Sequence, residues 1–242
     1  ILVLGTIVIT YNVDILPLIL KVFAPLQNVA QTLPGFIAHN TIMSLFYGLG
    51  VSGWTFSGIN NAISIPAQEA NMAALAAGQA AQYINVTEIR SGIGLINMGG
   101  IGATLALNFM FLFSKSKKLK TLGKVCLGPG LFSINEPILY GAPIVFNPIL
   151  MLPMVINSVI GSILVWVIFK GGMLAYPNVA LPGVGTLPVI AGTVMLTGDF
   201  RGILWWVVCF AIYALVYYPF FKVFERETLE KEAKEEAKKL EA

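Results

Sequence analysis

From Val22 to Gln68 the chain carries no Asp, Glu, Lys or Arg. That is more than twice the ~20 apolar residues that one membrane-spanning helix needs. One helix cannot use up such a run, so at least two elements share it. Pro25 and the Pro34–Gly35 pair interrupt it early, which predicts a short interfacial helix near 15–33 and a spanning helix near 36–56. A second charge-free run separates Glu136 from Lys170. Over 242 residues, 57% are hydrophobic and 11% charged, so the chain reads as an all-α polytopic membrane protein and not as a soluble α/β enzyme.

No basic patch suited to nucleic acid is present. Cys126 and Cys209 lie in apolar surroundings without a partner spacing, which predicts buried free thiols; no metal site and no cofactor are expected. Ile1 opens the sequence inside an apolar run, and part of a longer protein is expected.

The second run begins in a segment dense with helix breakers. Pro129, Pro137, Pro143 and Pro148 remove backbone donors, and Gly128, Gly130 and Gly141 add backbone freedom, so a plain continuous helix is not expected. Broken backbone at membrane depth persists only where protein or water covers it, and an acid there belongs to a cavity or pathway by default. The segment is therefore predicted to be a re-entrant hairpin presenting Glu136 to a polar substrate. The competing reading is a kinked structural helix in which Glu136 caps a helix start.

Other segments supply polar groups. Trp54, Asn60 and Asn61 end an apolar helix and offer amide donors and acceptors to a hydroxylated ligand, although a helix cap would use the same residues. His39, the only histidine, is expected to be hydrogen-bonded at a helix end. Residues 66–87 suit a helix packed on protein or a polar hairpin, and Glu88 and Arg90 are expected at an interface. Within the uncharged run Ser91–Ser114, the glycines of Asn97–Thr104 predict close helix contact, with Asn97 and Thr104 able to face a cavity.

Lys115, Lys117, Lys118, Lys120 and Lys124 crowd one expected loop, which the positive-inside tendency places in the cytoplasm. Residues 148–169 then cross outward, 171–198 re-enter and 202–221 return. Trp205, Trp206, Tyr217 and Tyr218 are expected at the two interfaces of that last span. Residues 225–242 hold seven of the twelve acids and read as a solvated cytoplasmic helix with pairs such as Glu227/Lys231.

The stretch Ser133-Ile-Asn-Glu-Pro-Ile-Leu-Tyr-Gly-Ala-Pro-Ile-Val-Phe-Asn-Pro148 closely resembles the membrane subunit, enzyme IIC, of bacterial phosphotransferase-system sugar transporters, in the lactose/cellobiose/chitobiose branch. The similarity runs from about 36 to 224 and includes residues 99–106. It implies three regions: 1–35, the end of an N-terminal span and an interfacial helix; 36–224, a substrate-binding membrane domain; and 225–242, a charged tail. It also implies that Glu136 lies at the sugar site and is the residue nearest the chemistry, with Asn135 and Asn147 beside it. A second family motif, Gly-Ile-His-Gly after a tryptophan, falls on Gly58-Ile59-Asn60-Asn61. Here Asn60 replaces the family's sugar-facing histidine, and Trp54 stands one residue farther away.

The implied activity is group translocation of a disaccharide in the bacterial inner membrane. A phosphorylated IIB partner would transfer its phosphoryl group to the sugar's 6-hydroxyl at the cytoplasmic face. The resemblance further implies a homodimer in the full-length protein; lipid contact is expected, and the lysine cluster and the crossings that follow it predict a cytoplasmic C-terminus. The alternatives are an ion-coupled secondary transporter and a structural subunit.

Overall fold

The computed structural model describes residues 25–178 and 187–240, and among these no β-strand occurs. A helical stretch over 25–30 is followed by α1 (Leu33–Gly48), capped by Thr32, whose hydroxyl accepts from Gly35 N at 3.2 Å. At 16 residues α1 is about 24 Å long, shorter than the span expected over 36–56. The chain leaves it through Gly50 at φ +80°, makes a 3₁₀ turn (Gly53–Phe56) and enters α2 (Ser57–Ala76). The expected interfacial helix near 15–33 lies partly outside the described residues.

After α2 come an irregular stretch, a π-helical turn (Glu88–Gly92) and a buried loop leading to α3 (Leu105–Leu112). Gly94, Gly99, Gly100 and Gly102 all have positive φ, so the glycines shape a loop and not the helix contact expected for 91–114. The loop is covered by protein: Ile93, Leu95, Ile96, Met98 and Ala103 are fully buried. Its carbonyls are met by the last helix, with Tyr213 Oη donating to Leu95 O at 2.7 Å and Tyr217 Oη to Gly102 O at 2.8 Å. Buried backbone needs such partners.

Next come α4 (Lys117–Leu131), α5 (Glu136–Gly141), α6 (Pro148–Lys170), α7 (Val189–Thr197) and α8 (Arg201–Leu240). α6 lies between α1 and α8, and α8 also packs on α3 and α7. Among the described residues, α6 and α8 are long and apolar enough to cross a membrane, and α6 matches the expected crossing at 148–169. α7, at nine residues, lies at the C-terminal end of the segment expected to re-enter over 171–198; residues 179–186 of that segment lie outside the described residues.

Four expectations are corrected. The lysines other than Lys115 do not sit in a loop: Ser116 caps α4, accepting from Leu119 N at 3.1 Å, so they occupy the helix's first turns. Cations there oppose the helix dipole, and α8 supplies the compensation. Glu232 Oε1 accepts from Ser116 Oγ at 2.7 Å and from Lys118 N at 2.9 Å, capping α4 from outside. Second, the tail is helical and largely exposed, as expected, but it is the continuation of the last span, because α8 runs unbroken through Pro219 and past residue 224. Third, Trp206 and Tyr217 are buried core residues and not interfacial ones. Fourth, Glu88 and Arg90, expected at an interface, are only 2% and 7% exposed. Cys126 and Cys209 are buried and free.

Candidate functional site

Glu136 is the first residue of α5, with Pro137 in the first turn. The proline prevents α4 from running on, because it lacks the N–H a continuing helix would use. Glu136 thus starts a helix, and it does so at a break in the backbone. Its side chain is exposed and lies near the Tyr47 hydroxyl on α1.

Asn135, just before it, is buried and fully engaged. Its Oδ1 accepts from Tyr47 Oη at 3.0 Å, and its Nδ2 donates to Ile101 O at 2.9 Å. Gly100 makes room for this side chain: a Cβ at residue 100 would lie 2.2 Å from Asn135 Cγ. The glycine loop, whose resemblance to a family segment was noted from sequence, is therefore the seat that fixes the backbone just before Glu136. Asn135 acts as a peg and Glu136 as the group left open.

The remaining sequence candidates divide. Asn147 caps α6, its Oδ1 accepting from Ile149 N at 3.0 Å. Thr104 donates to Gly99 O at 2.8 Å, which holds the loop and leaves no cavity-facing hydroxyl hydrogen. Asn97 is half-buried at the loop's start, where its carbonyl accepts from Gly100 N at 2.9 Å. Trp54 on the 3₁₀ turn is 67% exposed, and Asn61 is exposed on α2.

Asn60 belongs to a second polar cluster, beside the middle of α1. Its Oδ1 lies 2.7 Å from His39 Nε2 and 3.5 Å from Arg90 Nη1. Arg90 Nη2 donates to Ser64 Oγ at 2.9 Å. His39 Nδ1 meets the buried Asn85, whose Nδ2 also donates to Ala30 O at 2.9 Å. His39 is thus hydrogen-bonded, as expected, but across helices from within α1 and not at a helix end. Tyr47 and His39 stand eight residues apart, about 12 Å along the helix axis, so α1 links the Glu136 site to the Asn60 site.

Sequence reasoning missed Tyr47, Asn85, Arg90 and Ser64. An arginine two residues from an acid in an otherwise apolar run was the available signal, because such a pair is as compatible with burial as with an interface. Tyr47 carried no local signal.

The phosphotransferase system EIIC family matches residues 1–158. The lichenan permease IIC component of Bacillus subtilis (strain 168) is 34% identical over 211 residues, 86% of this chain and 46% of that protein. The lactose-specific EIICB component of Staphylococcus aureus is 35% identical over 224 residues, 88% of this chain and 37% of that protein. The crystal structure of the transporter ChbC, the IIC component from the N,N'-diacetylchitobiose-specific phosphotransferase system, superposes with a TM-score of 0.81 at 29% identity, covering 87% of this chain and 49% of that one. The chain thus spans less than half the length of these relatives. With a match over more than half of its residues and a shared all-α membrane fold, this chain belongs to the phosphotransferase system EIIC family.

Proposed function

We propose that this chain supplies the substrate-binding portion of a sugar permease component in a phosphoenolpyruvate-dependent phosphotransferase system. Its substrate is a disaccharide of the cellobiose, chitobiose or lactose type. The observation that carries the reading is Glu136: an exposed carboxylate at a helix break, on backbone pegged by Asn135 into the glycine loop. A carboxylate accepts hydrogen bonds only, so it holds and orients a sugar hydroxyl, and it is placed to take up that hydroxyl's proton when phosphoryl transfer occurs.

The phosphoryl donor is a IIB partner, a pairing supported by the EIICB name of the lactose-specific relative. Asn60, Asn61, Trp54, Asn97 and Asn147 are the further sugar-side candidates, of which Asn60 is the best placed. The lysine-bearing start of α4 and the end of α8 touch each other and so share one side of the membrane. The lysine excess favours the cytoplasmic side, where IIB docks, and the complete protein functions as a homodimer in lipid. No observation favours ion coupling.

The test is calorimetric titration of the purified protein with cellobiose, lactose and N,N'-diacetylchitobiose. At least one sugar should bind, and Glu136→Gln should weaken it while the fold persists. Unchanged affinity in a folded Glu136→Gln protein removes Glu136 from the site.

A further inference from the structure

We infer that His39 is a positioning residue: it locks the Asn60 carboxamide so that Asn60 meets the substrate only as a hydrogen-bond donor. This rests on the reading that Asn60 faces the sugar, and it adds what no resemblance supplies, namely a polarity and the residue that sets it.

The orientation follows from the chain of contacts. An amide oxygen accepts and an amide nitrogen donates. Arg90 has donors only, so the Asn60 atom facing its guanidinium is the oxygen. His39 Nε2, 2.7 Å from the same Oδ1, must therefore carry its proton. A neutral imidazole has one N–H, which leaves Nδ1 as an acceptor; of the two Asn85 amide atoms beside it, Nδ2 at 3.0 Å and Oδ1 at 3.2 Å, the nitrogen is then the one that donates to it.

Asn85 cannot easily reverse. Its Nδ2 also donates to Ala30 O, and its backbone is gripped by Gln31, with Asn85 N donating to Gln31 Oε1 at 2.9 Å and Gln31 Nε2 to Asn85 O at 3.2 Å. The direction of donation thus runs from Asn85 through His39 to the Asn60 oxygen. With that oxygen occupied twice, the half-buried Asn60 has only its NH₂ group to offer. The two polar sites along α1 then carry opposite polarity. Glu136 accepts and Asn60 donates, so the substrate must present a hydroxyl hydrogen to one site and a lone-pair oxygen to the other. A disaccharide bound between them is held in one direction.

The test has a ligand-free arm and a binding arm. His39 is the only histidine, so the ¹⁵N spectrum of histidine-labelled protein reads its tautomer without assignment. A protonated Nε2 with an unprotonated Nδ1 at neutral pH is expected, and the opposite tautomer overturns the inference whether or not any sugar binds.

In the binding arm, with whichever of cellobiose, lactose or N,N'-diacetylchitobiose binds, His39→Ala should lower affinity about five- to tenfold, and His39→Gln, which keeps a donor, should restore most of it. In an Asn60→Ala background, His39→Ala should add nothing further; an undiminished second loss would make His39 merely structural and sink the proposal. Asn60→Asp, which replaces the donor by an acceptor, should bind no better than Asn60→Ala, and retained affinity would overturn the assigned polarity. If no disaccharide binds the parent protein, the proposed function fails, while the tautomer still decides the orientation.

Discussion

Glu136 and Glu225 are the same side chain put to opposite uses. Glu225 is 5% exposed and has no oxygen to spare. Its Oε1 accepts from Ser114 Oγ at 2.7 Å and Lys115 N at 2.8 Å, and its Oε2 from Lys222 Nζ at 2.9 Å. Glu136 is exposed at a helix start, and among the described residues no cation lies in salt-bridge contact with it. A saturated buried carboxylate ties the connection between α3 and α4 to α8 and has nothing left for a ligand. An open one on a fixed backbone contributes little to the fold and keeps its capacity for a partner. Satisfaction separates structure from site here more cleanly than residue type or burial alone.

The most damaging substitution should be Gly100→Ala, because it strikes both sides of this comparison at once. The new Cβ would meet Asn135 Cγ at 2.2 Å from a backbone at φ +106°. Overpacking typically costs about 1–3 kcal/mol, and an alanine there adds strain of about 1 kcal/mol or more. Melting temperature and sugar affinity should fall together. A variant that keeps its stability and loses only affinity would show that the Asn135 peg supports the site without supporting the fold.

Next in size is the crossed pair. Glu225→Gln removes a charged acceptor from two donors and a lysine, and should cost about 2–3 kcal/mol of stability, a drop of roughly 5–10 °C in Tm for a chain of this size. The folded fraction should bind sugar unchanged. Glu136→Gln should do the reverse, with Tm nearly constant and affinity down by about 1.5–3 kcal/mol, roughly 10- to 150-fold. Thermal unfolding in detergent and calorimetry on the same two proteins decide it. If both variants lose stability equally, the comparison collapses.

How much of this was readable beforehand depends on whether a residue's partners are near in sequence. The charge-free runs, the break at Pro137 and the crossing over 148–169 follow from local composition, and the structure carries all three. The motif around Glu136 was legible for the same reason. Roles set by distant partners were not. Tyr217 has the composition of an interfacial aromatic, yet its hydroxyl is needed by Gly102 O, 115 positions away. The lysines of α4 look like a loop because the acid that caps their helix, Glu232, lies more than a hundred residues later. Asn147 and Asn60 are both amides near helix ends; only the contacts made by His39 and Arg90 distinguish the second from an ordinary cap.

A third, gentler probe is pH. Glu225 and Glu232 lie beyond the apolar part of α8. For each, burial alone would raise the pKa, but the donors gathered on it outweigh that: Ser114, Lys222 and Lys115 N for Glu225, and Ser116 with backbone N–H groups of α4 for Glu232. Both carboxyls are therefore held below the ordinary range near 4.3. A carboxyl whose folded pKa is depressed contributes stability above its unfolded pKa, and that contribution is lost as pH falls through the folded value. Docking of α8 onto the start of α4 should therefore be constant from pH 7 to 5 and loosen below about 4. Spin labels at Lys120 and Ala237 would report it as a lengthening distance. Loosening between pH 7 and 5.5 would contradict the assignment, and Glu225→Gln should flatten the acid transition.

The smallest effect is expected where the same contact surface carries a carboxylate that is neither saturated nor free. Glu236 lies 3.7 Å from Lys117, with the two side chains 70% and 92% exposed. It sits one helical turn beyond Glu232 on α8, against the same lysine-bearing start of α4, so a picture in which tail docking is simply attraction between acids and lysines would give it real weight. The geometry argues otherwise. Glu225 and Glu232 bind N–H and hydroxyl donors that have no other partner, whereas Lys117 and Glu236 each keep their hydration and would have to freeze long side chains to meet. Exposed pairs of this kind contribute roughly 0–1 kcal/mol and fade with salt. Glu236→Gln should leave Tm and the Lys120–Ala237 distance within error, at low and at high ionic strength, while Glu232→Gln should shift both. Equal shifts from the two variants, both abolished by salt, would mean that the tail is held by its net charge and not by the caps it provides.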